Sequence, residues 1–274
     1  MTPATATPTP RSLVPPRSAV GPHGWIAVLA VGTVLFVVVE RTLVATQNPN
    51  FVPSAILLGA AVVPATFVAF VYARRLAYDV TPTVVVASAF LGGVIGTVVA
   101  GTLEFDAQRD LGALPMVGVG LIEESSKLLI PLAVLLFLRR YRTRADGLLI
   151  GVAAGAGFAA LETMGYAFTT LLQSRGSITD TVDVLLLRGI MSPAGHMAWT
   201  GIAAAALFAA AEAGWTGRAV GRFLGAFAIA VALHTAWDSS PNLLFTAGVA
   251  VVSLAVLGRT VHRAAVPSTD HAAR

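Results

Sequence analysis

The sequence predicts an all-α fold, a polytopic transmembrane helical bundle of about eight spans with both termini in the cytoplasm. Three observations predict it. Of 274 residues, 56% are hydrophobic and only 12% are charged, whereas a soluble globular chain is nearer a quarter charged. Apolar segments near the length a helix needs to cross a bilayer, about 20 residues, recur at roughly 25–45, 54–73, 83–104, 114–138, 146–173, 190–212, 219–239 and 242–258. Arginines gather in every second connection, which sets the orientation, because positive charge is retained on the cytoplasmic side.

Residues 1–24, MTPATATPTPRSLVPPRSAVGPHG, are rich in Pro, Thr and Ala and offer almost nothing to bury. They are expected to form a disordered cytoplasmic tail, and they lack the early apolar stretch of a cleavable signal peptide. The bundle itself is expected over 25–258. Glu40 and Arg41 interrupt its first span as an interfacial pair snorkelling to water. Arg11 and Arg17, then Arg74 and Arg75, then Arg139, Arg140, Arg142 and Arg144, then Arg218 and Arg222, then Arg259 and Arg263 mark the cytoplasmic side. The opposite connections hold Glu104, Asp106 and Asp110, or Asp180 and Asp183. Gly92 and Gly96 in the third span, and Gly147, Gly151 and Gly155 in the fifth, recur every fourth residue, the pattern of closely packed membrane helices. Trp25, Trp199, Trp215 and Trp237 suit aromatic-belt or packing roles. Residues 259–274 form a second short cytoplasmic tail, and His23, His262 and His271 fall in solvated tails.

Composition also excludes functions. There is no cysteine, so disulfides, thiolate catalysis and Cys-ligated metals are ruled out. The net charge of +4 resides in short loops between apolar spans, so the partner is the lipid bilayer and not a nucleic acid.

The chemistry lies in ionisable side chains placed within apolar spans. Such groups are costly, at roughly 2.5–3.5 kcal/mol each near a helix centre on insertion scales. In the fourth span, LPMVGVGLIEESSKLLIPLAVLLFL holds Glu123, Glu124 and Lys127, the chain's only lysine. Glu123 and Lys127 are four apart, the favourable order for an ion pair. Glu124 lies about 100° around the helix, so the two carboxylates need not share a partner. The fifth span brings Phe158 and Glu162, the sixth His196 after a Ser192-Pro193 helix start, and the seventh His234 and Asp238 on one face. At about 1.5 Å per residue, Glu123 lies ~14 Å, Glu162 ~17 Å and His234 ~8 Å below the outer surface. Acids and imidazoles from four spans therefore share the extracytoplasmic half.

Hydrolysis is the natural use of such a set. A carboxylate can take a proton from water, and histidines can hold an oxyanion or a Zn²⁺ ion. Ser125 and Ser126 are expected to bond their own backbone, and neither GxSxG nor HExxH occurs.

These residues carry a resemblance. E-E-x-x-K at Glu123, Glu124 and Lys127, F-x-x-x-E at Phe158 and Glu162, His196, and H-x-x-x-D at His234 and Asp238, over roughly 115–240, resemble the PrsW family of intramembrane proteases. That family is related to the CAAX prenyl endopeptidase and bacteriocin-processing group. The resemblance implies cleavage of a single-pass membrane protein, such as an anti-sigma factor, on the extracytoplasmic side of a bacterial-type cell membrane. Catalytic residues would be Glu123, Glu124, Lys127, Glu162, His196, His234 and Asp238. In one assignment Glu123 activates water, oriented by Glu162 or His196, while His234 and Asp238 hold the oxyanion and Lys127 balances charge. In the other, Glu162, His196 and His234 bind Zn²⁺ with Glu123 as base. The related CAAX enzymes end their second motif in His, where this chain has Glu162. Two other functions fit buried Glu, His and Lys: a proton- or ion-coupled transporter, and a scaffold that binds a membrane partner without cutting it.

Overall fold

The structure, a computed structural model, describes residues 21–74 and 76–265. Most of both expected tails, with Arg11, Arg17 and His271, lies outside the described residues, as does Arg75. Among the described residues the elements are all helical: α1 Gly24–Thr46, α2 Val52–Tyr72, α3 Pro82–Leu111, α4 Met116–Lys127, α5 Leu129–Phe137, α6 Arg144–Gln173, α7 Ile178–Met191, α8 His196–Glu212, α9 Gly217–Asp238 and α10 Leu243–Ala265. Among the described residues, seven stretches are long and apolar enough to cross a membrane. The protein is a multi-pass membrane protein.

The expected fourth span, 114–138, is not one helix. α4 stops at Lys127 and α5 starts at Leu129. Pro131 supplies the reason: it has no N–H to give to the carbonyl four residues back, that of Lys127, and its ring crowds that carbonyl. The sixth span also differs from the expected 190–212. α7 and α8 form one apolar stretch, Ile178–Glu212, bent by a 3-10 turn at Ser192–Ala194. The Ser192-Pro193 pair makes that turn, and α8 begins only at His196. At the other end of the chain α10 continues to Ala265, carrying Arg259, His262 and Arg263 on helix and not in a tail.

The core is the pair α6 and α8. From Ala145 to Ala156 every residue of α6 is buried, as expected of a helix that is apolar or small all round. The glycines explain how neighbours come so close. A Cβ on Gly151 would stand 2.6 Å from Thr200 O, and one on Gly155 would stand 2.5 Å from His196 O. On another face of α6, Ala154 and Gly157 press on Gly92 and Gly93 of α3. Large apolar side chains on the outer helices, among them Val34, Phe90, Val98, Leu244 and Val251, are exposed, as lipid-facing positions are. At one end of α6, buried Asp146 accepts from the backbone N–H groups of Asp79, Arg142 and Thr143. That pins the preceding loops and the start of α6 together.

Candidate active site

The last turn of α4, just ahead of the break at Leu128, carries Glu123, Glu124 and Lys127. All three are buried, Glu124 and Lys127 completely. Lys127 Nζ donates to Glu123 Oε2 at 2.9 Å, to Glu124 Oε1 at 2.8 Å and to His196 Nδ1 at 2.6 Å. Its ammonium also stands 4.2 Å from the centroid of the Phe158 ring, a cation–π contact. The two carboxylates therefore share a partner after all. Lys127 is three residues from one and four from the other, and both spacings are neighbours on a helix surface.

From α9, buried His234 reaches both carboxylates. Its Nδ1 stands 2.9 Å from Glu124 Oε1, and its Nε2 stands 3.0 Å from Asp238 Oδ2 and 3.5 Å from Glu123 Oε2. Trp199 of α8 stacks on the His234 ring, centroids 4.8 Å apart, and its indole N–H donates to Ser253 Oγ of α10 at 2.9 Å. His196, at the first position of α8, stands with Nδ1 4.0 Å from Glu123 Oε2 and Nε2 2.7 Å from Glu162 Oε2. The same Glu162 oxygen stands 2.7 Å from Nη2 of Arg188 on α7. All seven residues expected from the sequence are thus linked in one run of contacts drawn from α4, α6, α8 and α9. A cavity of about 210 Å³ opens onto it, lined by His196, Arg188, Trp199 and Trp237 among others.

One carboxylate and two imidazoles, those of Glu123, His196 and His234, present ligand atoms within 4.8 Å of one another. By donor type they fit a zinc site with three protein ligands and an open position. Glu162 is not in that set and faces His196 and Arg188 instead. The donor set competes with Lys127, whose ammonium already stands against Glu123 Oε2 and His196 Nδ1.

Several residues at the site do not stand out in the sequence. Arg188 falls just outside a span drawn from 190, and an arginine inside the apolar run TVDVLLLRGIM was the available signal. Trp199 and Ser253 signal nothing beyond packing. Glu104, counted among outer-loop acids, lies on α3 within electrostatic reach of Glu123, Glu162, His234 and Lys127, and its Oε1 is buried with no hydrogen-bond partner among the described residues.

Residues 81–261 match the sequence model of one protein family, described as PrsW family intramembrane metalloprotease. Neither a curated protein nor a solved structure matches the chain. The matched region contains every residue of the cluster and favours a peptidase over the transporter and scaffold readings.

Proposed function

The chain belongs to the PrsW family of intramembrane metalloproteases, and on that premise we propose that it hydrolyses a peptide bond of a single-pass membrane protein at the extracytoplasmic half of the bilayer, with Glu123 activating the water. The observation that carries this is the convergence on one carboxylate. Glu123 Oε2 faces Lys127, His196 and His234 at 2.9, 4.0 and 3.5 Å, from three different helices. Buried acids are retained where they are paired, and here the pairing leaves the Glu123 carboxylate slightly exposed while Glu124 is sealed. That difference supports Glu123 as the acid that meets water and Glu124 as the one that holds Lys127 and His234.

In this reading Glu123 takes a proton from water as the oxygen attacks the carbonyl carbon, and gives it to the departing amine as the C–N bond breaks. His196 orients Glu123 through their shared lysine and is itself held by Glu162. Lys127 keeps two adjacent carboxylates from carrying uncompensated charge. Asp238 fixes the His234 ring. In the alternative, metal-bound assignment, Glu123, His196 and His234 would hold a divalent ion such as Zn²⁺ in place of their contacts with Lys127. The ion would supply a bound water of lowered pKa, and Glu123 would be a ligand and not the base. The arginine-rich connections support cytoplasmic termini, and an anti-sigma factor is the substrate class that the resemblance offers.

The test is to map new termini of single-pass proteins by mass spectrometry in bacterial membranes expressing the wild type or Glu123→Gln. The expected result is extracytoplasmic termini present with the wild type and absent with the variant at equal protein level. The same termini in both would overturn the assignment.

A further inference from the structure

Hydrolysis needs a donor for the carbonyl oxygen as it gains negative charge. Neither His234 nitrogen is free for that task, because Nδ1 faces Glu124 and Nε2 faces Asp238 and Glu123. Lys127 is equally committed, with three acceptors around one ammonium. Arg188 differs. A guanidinium has five N–H donors in a fixed plane. Nη2 faces Glu162, while Nε is buried with no hydrogen-bond partner among the described residues.

The plane is held before any substrate arrives. Glu162 anchors one edge, and the ring of Tyr166, one turn further along α6, lies 3.9 Å beneath the guanidinium carbon. Arg188 and His196 both stand 2.7 Å from the same oxygen of Glu162 and line the same cavity. The side chain is about a quarter exposed, so part of it opens toward that space. A rigid, charged, partly unsatisfied fork that lines the cavity together with His196 is what an oxyanion site requires.

We propose that Arg188 is a catalytic residue of this chain, a preorganised donor to the scissile carbonyl oxygen as it becomes an oxyanion. The proposal rests on the hydrolytic reading above. Water loses a proton to Glu123 and its oxygen bonds to the carbonyl carbon. The carbonyl π pair moves onto oxygen, where the Arg188 N–H groups hold it. The pair then returns, the C–N bond breaks, and nitrogen takes the proton from Glu123, giving an acid and an amine.

The probe is an internally quenched random decapeptide library in detergent micelles with the full-length protein. Arg188→Ala is expected to lower kcat by about 10²–10³-fold, the usual loss for an oxyanion donor, with apparent KM within about twofold. Free guanidinium at millimolar concentration restores part of that rate and ammonium does not, which a merely structural role would not produce. Glu162→Gln and the double variant Glu162→Gln/Arg188→Ala separate direct from indirect action. A further loss in the double variant supports the proposal. Equal rates in the two, or an Arg188→Ala rate within about threefold of wild type, overturn it. Unchanged cleavage by Glu123→Gln would sink the base assignment instead, whatever Arg188 does.

Discussion

The Lys127 ammonium stands 2.6 Å from Nδ1 of His196. A lysine ammonium can only donate, so Nδ1 must accept, and the ring proton of a neutral imidazole then sits on Nε2, facing Glu162. One lysine therefore sets the tautomer of one histidine and, through it, the direction of the contact to Glu162. Three helices, α4, α8 and α6, meet in that short relay.

Removing the base should leave the fold and remove the activity. Glu123→Gln keeps volume and loses the proton acceptor, so the cleavage rate is expected to fall by at least about 10²–10⁴-fold. Thermal unfolding in detergent should show a discrete transition, and a variant that unfolds without one would mean that the loss reported damage and not chemistry.

Lys127→Met should be far more damaging than a typical core swap. It strands the Glu123 and Glu124 carboxylates without their shared cation, and breaking one side of a buried ion pair costs about 3–5 kcal/mol. The double variant Lys127→Met/Glu124→Gln should recover part of that loss. Chemical denaturation of the three proteins gives the coupling directly.

Metal content discriminates between donor sets. In the metal-bound assignment, zinc stoichiometry measured by plasma mass spectrometry on purified protein approaches one per chain and falls sharply in Glu123→Gln, His196→Ala and His234→Ala. Glu162→Gln should retain its zinc, because Glu162 lies outside the group whose ligand atoms converge. Zinc lost from Glu162→Gln but kept by Glu123→Gln would reverse that order. Absence of zinc from the wild type, with cleavage that survives a strong chelator, would leave the metal-free route.

Gly155→Val should hurt both stability and activity. A first carbon there already meets His196 O at 2.5 Å, so α8 must move, taking His196 with it, at a cost of about 1–3 kcal/mol for overpacking alone. Gly165→Ala on the same helix meets nothing within 4 Å and should leave the melting temperature unchanged or slightly higher. Equal behaviour of the two variants would contradict the close α6–α8 approach.

Much of this arrangement was legible in the chain. Ionisable groups in apolar spans identified the cluster because lipid makes them expensive, and the four-residue glycine rhythm identified a close-packing face on α6, though not α8 as its partner. Other features were hidden by the measure used. Hydropathy averaging does not register the single missing N–H of Pro131, so the fourth span reads as continuous. A boundary drawn at 190 removed Arg188 from consideration, since a charge just before a span reads as loop. Shared partners, such as Lys127 for two glutamates or Glu162 Oε2 for His196 and Arg188, depend on side-chain reach across helices, which spacing along one helix does not encode.

The bend at Ser192–Ala194 has a geometric consequence. Arg188 and His196 are eight positions apart, and on an unbroken helix their backbones would be separated by ~12 Å along the axis and about 80° around it. Because the chain turns a corner between them, their tips meet at one oxygen and face one another like opposite jaws of a vice. Straightening that corner would open both jaws together, so a single hinge governs whether the two halves of the grip exist at all.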